Sequence, residues 1–441
     1  MSAQTPAGPP PPGPQPGPQP GPQPGFPLVP VEEHLRRCLD LVRPLRPLDL
    51  ALRDALGCVL AEDVVSPRPL PGFDNSAMDG YAVRLADVAG AGEDSPVELP
   101  VVGDVAAGPS EPVRLTGGTA VRIMTGAPVP PGAEAVVPVE HTDRGVSRVR
   151  VHRAPTAGQH VRRAGEDVEA GVVVLEAGTR LQARHVGVLA ALGRARVRVR
   201  PRPRVVVVST GAEVVEPGTP LAPGQLHDAN GPLLAAAAEE LGALAYRVGV
   251  VGDDARELAA VLDDQLVRAD VLVTSGGVSE GAYDTVKEVL SGSPEVRFDR
   301  VAVQPGMPQG AGRLGEQRTP VFTLPGNPVS SFVSFEVFVR PALRRMLGEE
   351  GPDPQRPVVT AVADEAWSSP PAKRQYVRAA HHRDGDGVLR VRPVSGHGSH
   401  LVTALARTTC LAVVPVGVSR VEPGDEVECV LLGPAPLAEQ R

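Results

Sequence analysis

At 441 residues, with 42% hydrophobic but only 3% aromatic content, the chain is long enough for about three domains whose cores must be built mainly from Ala, Val and Leu. A formal net charge of -8 removes the broad basic field that nucleic-acid binding requires. Cys38, Cys58, Cys410 and Cys429 show neither CxxC pairing nor His-rich metal spacing, and no charged-then-apolar leader or membrane-length apolar run is visible. A zinc site, a disulfide scaffold and a membrane span are therefore set aside, and a reducing, cytoplasmic location is expected.

In chain order, residues 1–26 are a Pro/Gly/Gln tract that cannot bury enough apolar surface to offset chain entropy, so it reads as a disordered or polyproline II tail. VEEHLRRCLDLV follows with Val31, Leu35, Cys38, Leu39 and Val42 at helical spacing, limited by Pro44. Residues 27–57 and 160–201 are expected to form a discontinuous connecting domain around a β-rich insertion at 58–159, whose short strands are broken by Gly and Pro. The one dense basic run, RARVRVRPRPR, alternates Val with Arg and reads as a half-exposed strand with a charged face.

Beyond it the period changes. RPRVVVVSTGAEV is a continuous apolar run ending in a polar glycine loop, the pattern of a strand buried on both faces of a parallel sheet. A helix from Asn230 as N-cap to Gly242, a strand YRVGVVGDD, a helix opened by Asp254 and Glu257, and the strands ADVLVTSGG and TPVFTLPGNP continue the alternation. Residues 202–350 thus read as a doubly wound parallel α/β domain, and 357–434 as a C-terminal β-barrel-like domain.

The segment PGFDNSAMDGYAV brings Asp74, Asn75, Ser76 and Asp79 together beside glycines that permit close backbone approach to a ligand. In an open parallel sheet ligands bind beyond the carboxyl ends of the strands, which singles out STGAE, GDD, TSGGVSEGAYD and LPGNPVS. Ser275, Gly276 and Gly277 can offer backbone N–H groups and a hydroxyl to an anion. Glu213, Asp253 and Asp284 stand in the neighbouring loops and would repel that anion unless a divalent cation intervened, for which hard oxygen ligands suit Mg²⁺. Neither a Walker A sequence nor a GxGxxG turn follows these strands, which disfavours P-loop NTPases and dinucleotide dehydrogenases. His397 and His400 receive no role.

Seven segments, PGFDNSAMDGYAV, RIMTGAPVPPGAEAVV, RRAGEDV, STGAEV, TSGGVSEGAYD, LPGNPVS and SGHGSH, occur in an order that resembles the molybdopterin molybdenumtransferases, the MoeA and gephyrin E-domain family. The resemblance runs from about Val31 to the C-terminus. It implies insertion of molybdate into adenylylated molybdopterin with Mg²⁺ and release of AMP. It further implies an elongated homodimer with its active site between the α/β domain of one subunit and the small domains of the other, and a molybdopterin adenylyltransferase as candidate partner.

Carried over by motif, Asp79 and Thr125 resemble active-site residues of the β-rich domain, and Asp167 belongs to the connecting domain. Glu213, Asp253 and Asp284 resemble the acidic, metal-holding set of the pterin-nucleotide site, with Ser275, Gly276 and Gly277 facing its phosphates. Arg300, Pro305, Ser330, Arg378 and Ser399 would serve the oxyanion and dithiolene end. Gln304 and Met307 stand there where many relatives carry lysines. Two other readings are a molybdopterin adenylyltransferase, which resembles the α/β domain alone, and a non-catalytic gephyrin-like scaffold. The flanking motifs weigh against the first, and the presence of Asp79, Glu213, Asp253 and Asp284 against the second.

Overall fold

The computed structural model describes residues 27–109, 113–278, 284–349, 356–396 and 398–433, so the Pro-rich tail lies outside the described residues. Two compact units divide the chain, one built on Pro44–Arg202 and the other on Pro203–Leu343 together with the N-terminal helix and the C-terminal strands.

The first unit holds a five-stranded sheet in the order Ala135–Pro138, Gly80–Val83, Ala120–Ile123, Val97–Val105, Arg148–Val151. Its two faces are covered by separate aliphatic clusters, one around Tyr81 and Val83 and the other around Ala82 and Ile123, because consecutive residues of Gly80–Val83 point to opposite sides. A three-stranded sheet joins Leu48–Ala51, Arg196–Arg200 and Val59–Leu60. In its central strand Val197 and Val199 are buried while Arg196 and Arg198 stay exposed. The basic run is therefore a two-faced strand, and Arg198 pairs with Asp49 at 3.3 Å.

The second unit is organised by a six-stranded sheet. Its elements in chain order are β1 (Arg204–Thr210), α1 (Asn230–Glu240), β2 (Leu244–Val251), α2 (Ala255–Leu266), β3 (Val271–Ser275), α3 (Thr285–Ser291), β4 (Arg297–Arg300), β5 (Pro308–Leu314), β6 (Thr319–Leu324) and α4 (Pro328–Ser334). The spatial order is β2-β1-β3-β6-β5-β4. The first four pair in parallel, as the alternation required, whereas β5 and β4 run antiparallel at one edge. The sheet is thus mixed rather than wholly parallel, because β5 and β6 are joined by a short hairpin turn in which Gly315 takes φ +67. Val206, Val208 and Leu272 pack on α2 and α3 on one face, and α1 lies against β1 and β2 on the other. Asp254 caps α2, its Oδ1 accepting the N–H groups of Arg256 and Glu257 at 2.8 and 2.9 Å.

C-terminal strands Arg374–Arg383, Leu389–Pro393, Val358–Ala363, Glu426–Leu431 and Cys410–Val414 pair in succession, and the last returns to Arg374–Arg383, closing a barrel. Its interior is filled by Val377, Ala379, Val391, Ala412 and Leu431. The barrel belongs to the same compact unit as the α/β layer, since Val303–Gln304 extends it by pairing with Arg374–Gln375. The helix Val31–Leu41, expected in the connecting domain, also belongs to this unit. His34 Nδ1 and Arg37 Nη1 bond Asp299 Oδ2 at 3.2 and 2.8 Å, and the His34 ring meets Phe338 edge-on. All four cysteines are buried free thiols.

Candidate active site

At the carboxyl ends of β1, β2, β3 and β6 the connecting loops enclose a cavity of about 730 Å³. Glu213, Asp253 and Asp284 all line it, together with Ser275, Gly276, Gly277 and Ser330. The sheet explains the convergence: parallel strands end on the same side, so loops far apart in sequence share one rim. Gly211 takes φ +141, and a Cβ there would meet Glu213 Oε2 at 2.8 Å. The next residue, Ala212, donates its N–H to Asp253 Oδ2 at 3.2 Å, tying the loops after β1 and β2 together.

Gly276 is excluded from carrying a side chain, since a Cβ would lie 2.5 Å from the Thr210 carbonyl oxygen. Its N–H is already bonded to the Leu324 carbonyl at 3.1 Å. Ser275 is also turned inward: its hydroxyl lies 3.1 Å from Ser331 Oγ and accepts from Asn230 Nδ2 at 2.7 Å. The hydroxyl expected to serve an anion thus braces the rim of the cavity that Ser275 lines.

Four carboxylates, Glu213, Asp228, Asp253 and Asp284, line the cavity, and among the described residues neither Lys nor Arg does. Asp228 is buried, pairs with Arg247 at 3.1 Å and accepts the Gly231 N–H at 2.9 Å. Among the described residues no group of three His, Cys, Asp or Glu side chains could by itself hold a metal ion, so Glu213, Asp253 and Asp284 share a cavity without forming a closed ligand set.

Sequence reasoning missed Asp228 and misread Asn230. Ala229 occupies the cap position, and the Asn230 side chain reaches across to the end of β3 and the loop after β6 instead of capping its helix. The Asp-x-Asn spacing in LHDAN, immediately before the helix, was the available signal.

Gln304, Pro305 and Arg378 come together around a much smaller cavity of about 20 Å³ beside the barrel. Arg378 is 5% exposed, and its guanidinium donates to the carbonyls of Leu401, Gly396 and Gly398 at 2.6, 2.7 and 3.0 Å. Burial also pushes its pKa down. Arg378, expected to face an anion, lines this cavity while its guanidinium holds the 396–401 loop at Gly396, Gly398 and Leu401. Ser399 lies on that loop, its carbonyl accepting the Val329 N–H at 3.3 Å, and His400 reaches the larger cavity; His397 lies outside the described residues. Arg300 lines neither cavity; its guanidinium contacts Met307 Sδ at 3.9 Å. Burial, and secondarily the Arg300 charge, lower the pKa of Lys373, a cation that sequence reasoning had passed over.

In the other unit, Asp79 and Thr125 are joined. The strand Gly80–Val83 pairs with Ala120–Ile123, which sets the residues flanking them side by side. Asp79 Oδ1 accepts both the Thr125 N–H, at 2.7 Å, and its hydroxyl, at 2.8 Å. These bonds, the backbone one foremost, hold the Asp79 carboxyl below the usual carboxylate range. Asp74 is likewise held low, by the Ala164 N–H and by Arg163, so the PGFDNS and RRAGEDV segments meet. Asp167 is exposed on the latter segment, its N–H bonded to the Leu70 carbonyl at 3.0 Å.

Comparison with known proteins agrees with this architecture. Residues 29–193 match the MoeA N-terminal region (domain I and II), 206–345 a probable molybdopterin binding domain, and 360–432 the MoeA C-terminal region (domain IV). Molybdopterin molybdenumtransferase 2 of Mycobacterium tuberculosis is 47% identical over 404 residues, covering 90% of this chain and 98% of that protein. The Bacillus subtilis molybdopterin molybdenumtransferase is 33% identical over 410 residues, covering 92% and 94%. The crystal structure of the molybdopterin biosynthesis moea protein from Pyrococcus horikosii superimposes with a TM-score of 0.76 at 33% identity, covering 92% of this chain and 99% of that one. The chain therefore belongs to the MoeA family of molybdopterin molybdenumtransferases, transferase enzymes of molybdenum cofactor biosynthesis.

Proposed function

We propose that the chain inserts molybdate into adenylylated molybdopterin, using Mg²⁺ and releasing AMP, and that it does so as a cytoplasmic homodimer supplied by a molybdopterin adenylyltransferase. The observation that carries this reading is the cavity of about 730 Å³ lined by four carboxylates and, among the described residues, by no Lys or Arg. Arg247 already pairs with Asp228, and a pyrophosphate entering beside the other carboxylates of the rim would be repelled less if a divalent cation came with it.

The donor set fits Mg²⁺, which is commonly bound by one or two carboxylates together with phosphate oxygens and water. One or two of Glu213, Asp253 and Asp284 would hold it together with phosphate oxygens and water, and when bound it would offset charge that builds on the pyrophosphate as AMP departs. The chain's own contribution is positional. Gly276 and Gly277 let the loop after β3 pack closely on Thr210 and Val286 at the cavity wall, and the Ala212–Asp253 bond keeps two acidic loops at a common rim. Asp79, Thr125 and Asp167 belong to the same reaction, with the Thr125 N–H and hydroxyl fixing the orientation of the Asp79 carboxylate.

The test is AMP release by purified protein given adenylylated molybdopterin, molybdate and Mg²⁺. Wild type should release AMP in a Mg²⁺-dependent manner. Asp284→Asn should bind the substrate yet release little AMP; near-normal release at saturating Mg²⁺ would remove Asp284 from the mechanism.

A further inference from the structure

Asn230 occupies the first turn of α1 and lines the large cavity. Its Nδ2 lies 2.6 Å from the Gly326 carbonyl oxygen and 2.7 Å from Ser275 Oγ. A carbonyl can only accept, so the atom facing Gly326 is the amide nitrogen, and both of its hydrogens are used. The other amide atom, Oδ1, is buried and has no partner. The side chain is thus anchored through its NH₂ group alone.

Those two bonds connect the end of β3, where its loop begins, to the loop after β6. The two loops already touch, for a Cβ on Gly326 would stand 3.5 Å from Gly276 Cα. Ser275 extends the link into α4 through Ser331 Oγ at 3.1 Å. One side chain from α1 therefore braces the pair of loops that present Gly277 and Gly326 to the cavity.

We propose that Asn230 is a positioning residue that sets the spacing of these two loops, and so the fit of the phosphate-bearing substrate; this rests on the reading of the cavity given above. The shape of the side chain is secondary to its two donors. Asp has the same shape but, when ionised, would place an acceptor against the Gly326 carbonyl. A neutral Asp could restore one of the two bonds. Burial and donation by the protonated form both raise a carboxyl pKa, so an Asp at this position regains its donor as pH falls.

The experiment compares wild type, N230D and N230A by KM for adenylylated molybdopterin and kcat for AMP release, between about pH 5.5 and 8.5, the range in which a buried carboxyl titrates. N230D should show KM raised roughly tenfold at the alkaline end, the scale of a lost buried hydrogen bond, with recovery toward wild type at the acid end. N230A should show the elevated KM without that recovery. An N230D profile parallel to wild type, or to N230A, overturns the proposal. Should N230D fail to fold, N230S carries the same decision, because its single short donor cannot span both acceptors: wild-type KM in N230S overturns the proposal, and a raised KM supports it. A wild type that releases no AMP would sink the reading of the cavity and the proposal with it. An active wild type with an indistinguishable N230D sinks the proposal alone.

Discussion

Thr125 directs two donors at one oxygen of Asp79, and the consequence is a carboxylate that stays ionised to lower pH than a free aspartate. Thr125→Val keeps the backbone N–H and removes the hydroxyl. The Asp79 midpoint, followed by carboxyl NMR, should then rise part of the way toward 3.8, and an unmoved midpoint would show that the hydroxyl contributes nothing. Gln304 poses a different question. It lines the small cavity beside Arg378, whose guanidinium donates to three carbonyls, so a lysine at 304 would add both a further charge and a free donor there. A charge-assisted contact is roughly twice as strong as a neutral one. Gln304→Lys should therefore lower the molybdate concentration for half-maximal turnover while leaving the rate at saturating molybdate similar. An unchanged half-saturation point would show that Gln304 does not limit anion capture.

The helix Val31–Leu41 illustrates how an element finds its place. Its periodicity defines an apolar stripe, but its docking depends on Asp299, reached by His34 and Arg37. Asp299 is held below the ordinary carboxylate range, by His34 first and by Arg37 against the cost of burial. A depressed pKa contributes stability that is present above the unfolded value and lost as pH falls through the folded one. Wild type should accordingly lose this contribution on acidification below about pH 4, where free aspartate titrates. Asp299→Asn should lower the thermal midpoint at pH 7 and flatten its acid limb. An acid limb parallel to that of wild type would mean that other carboxylates set it.

For the whole molecule, the N-terminal tract offers no periodic apolar face that could add to a core. Removing residues 1–25 should leave the thermal midpoint and AMP release unchanged, as followed by calorimetry and the AMP assay. A midpoint lowered by several degrees would show that the tract packs on the folded chain. The C-terminal strands carry the opposite expectation, because the barrel is paired to the α/β layer through Val303–Gln304 rather than strung behind it.

Much of the plan was legible in local pattern. The apolar run at β1, the alternation in RVRVR, the cap at Asp254 and the order of the glycine loops depend on neighbours in sequence, and each element appears where the pattern placed it. The parallel sheet then brought Glu213, Asp253 and Asp284 to one rim, as strand topology demands. What sequence could not supply was the direction in which polar groups spend their hydrogen bonds. Arg378 looked like an anion ligand and Ser275 like a phosphate contact, yet Arg378 bonds a nearby loop and Ser275 bonds Asn230 and Ser331, while Asn230, expected to cap its helix, braces the ends of β3 and β6. Those choices are made between residues from 18 to 96 positions apart, so only the packed chain decides which donor meets which acceptor.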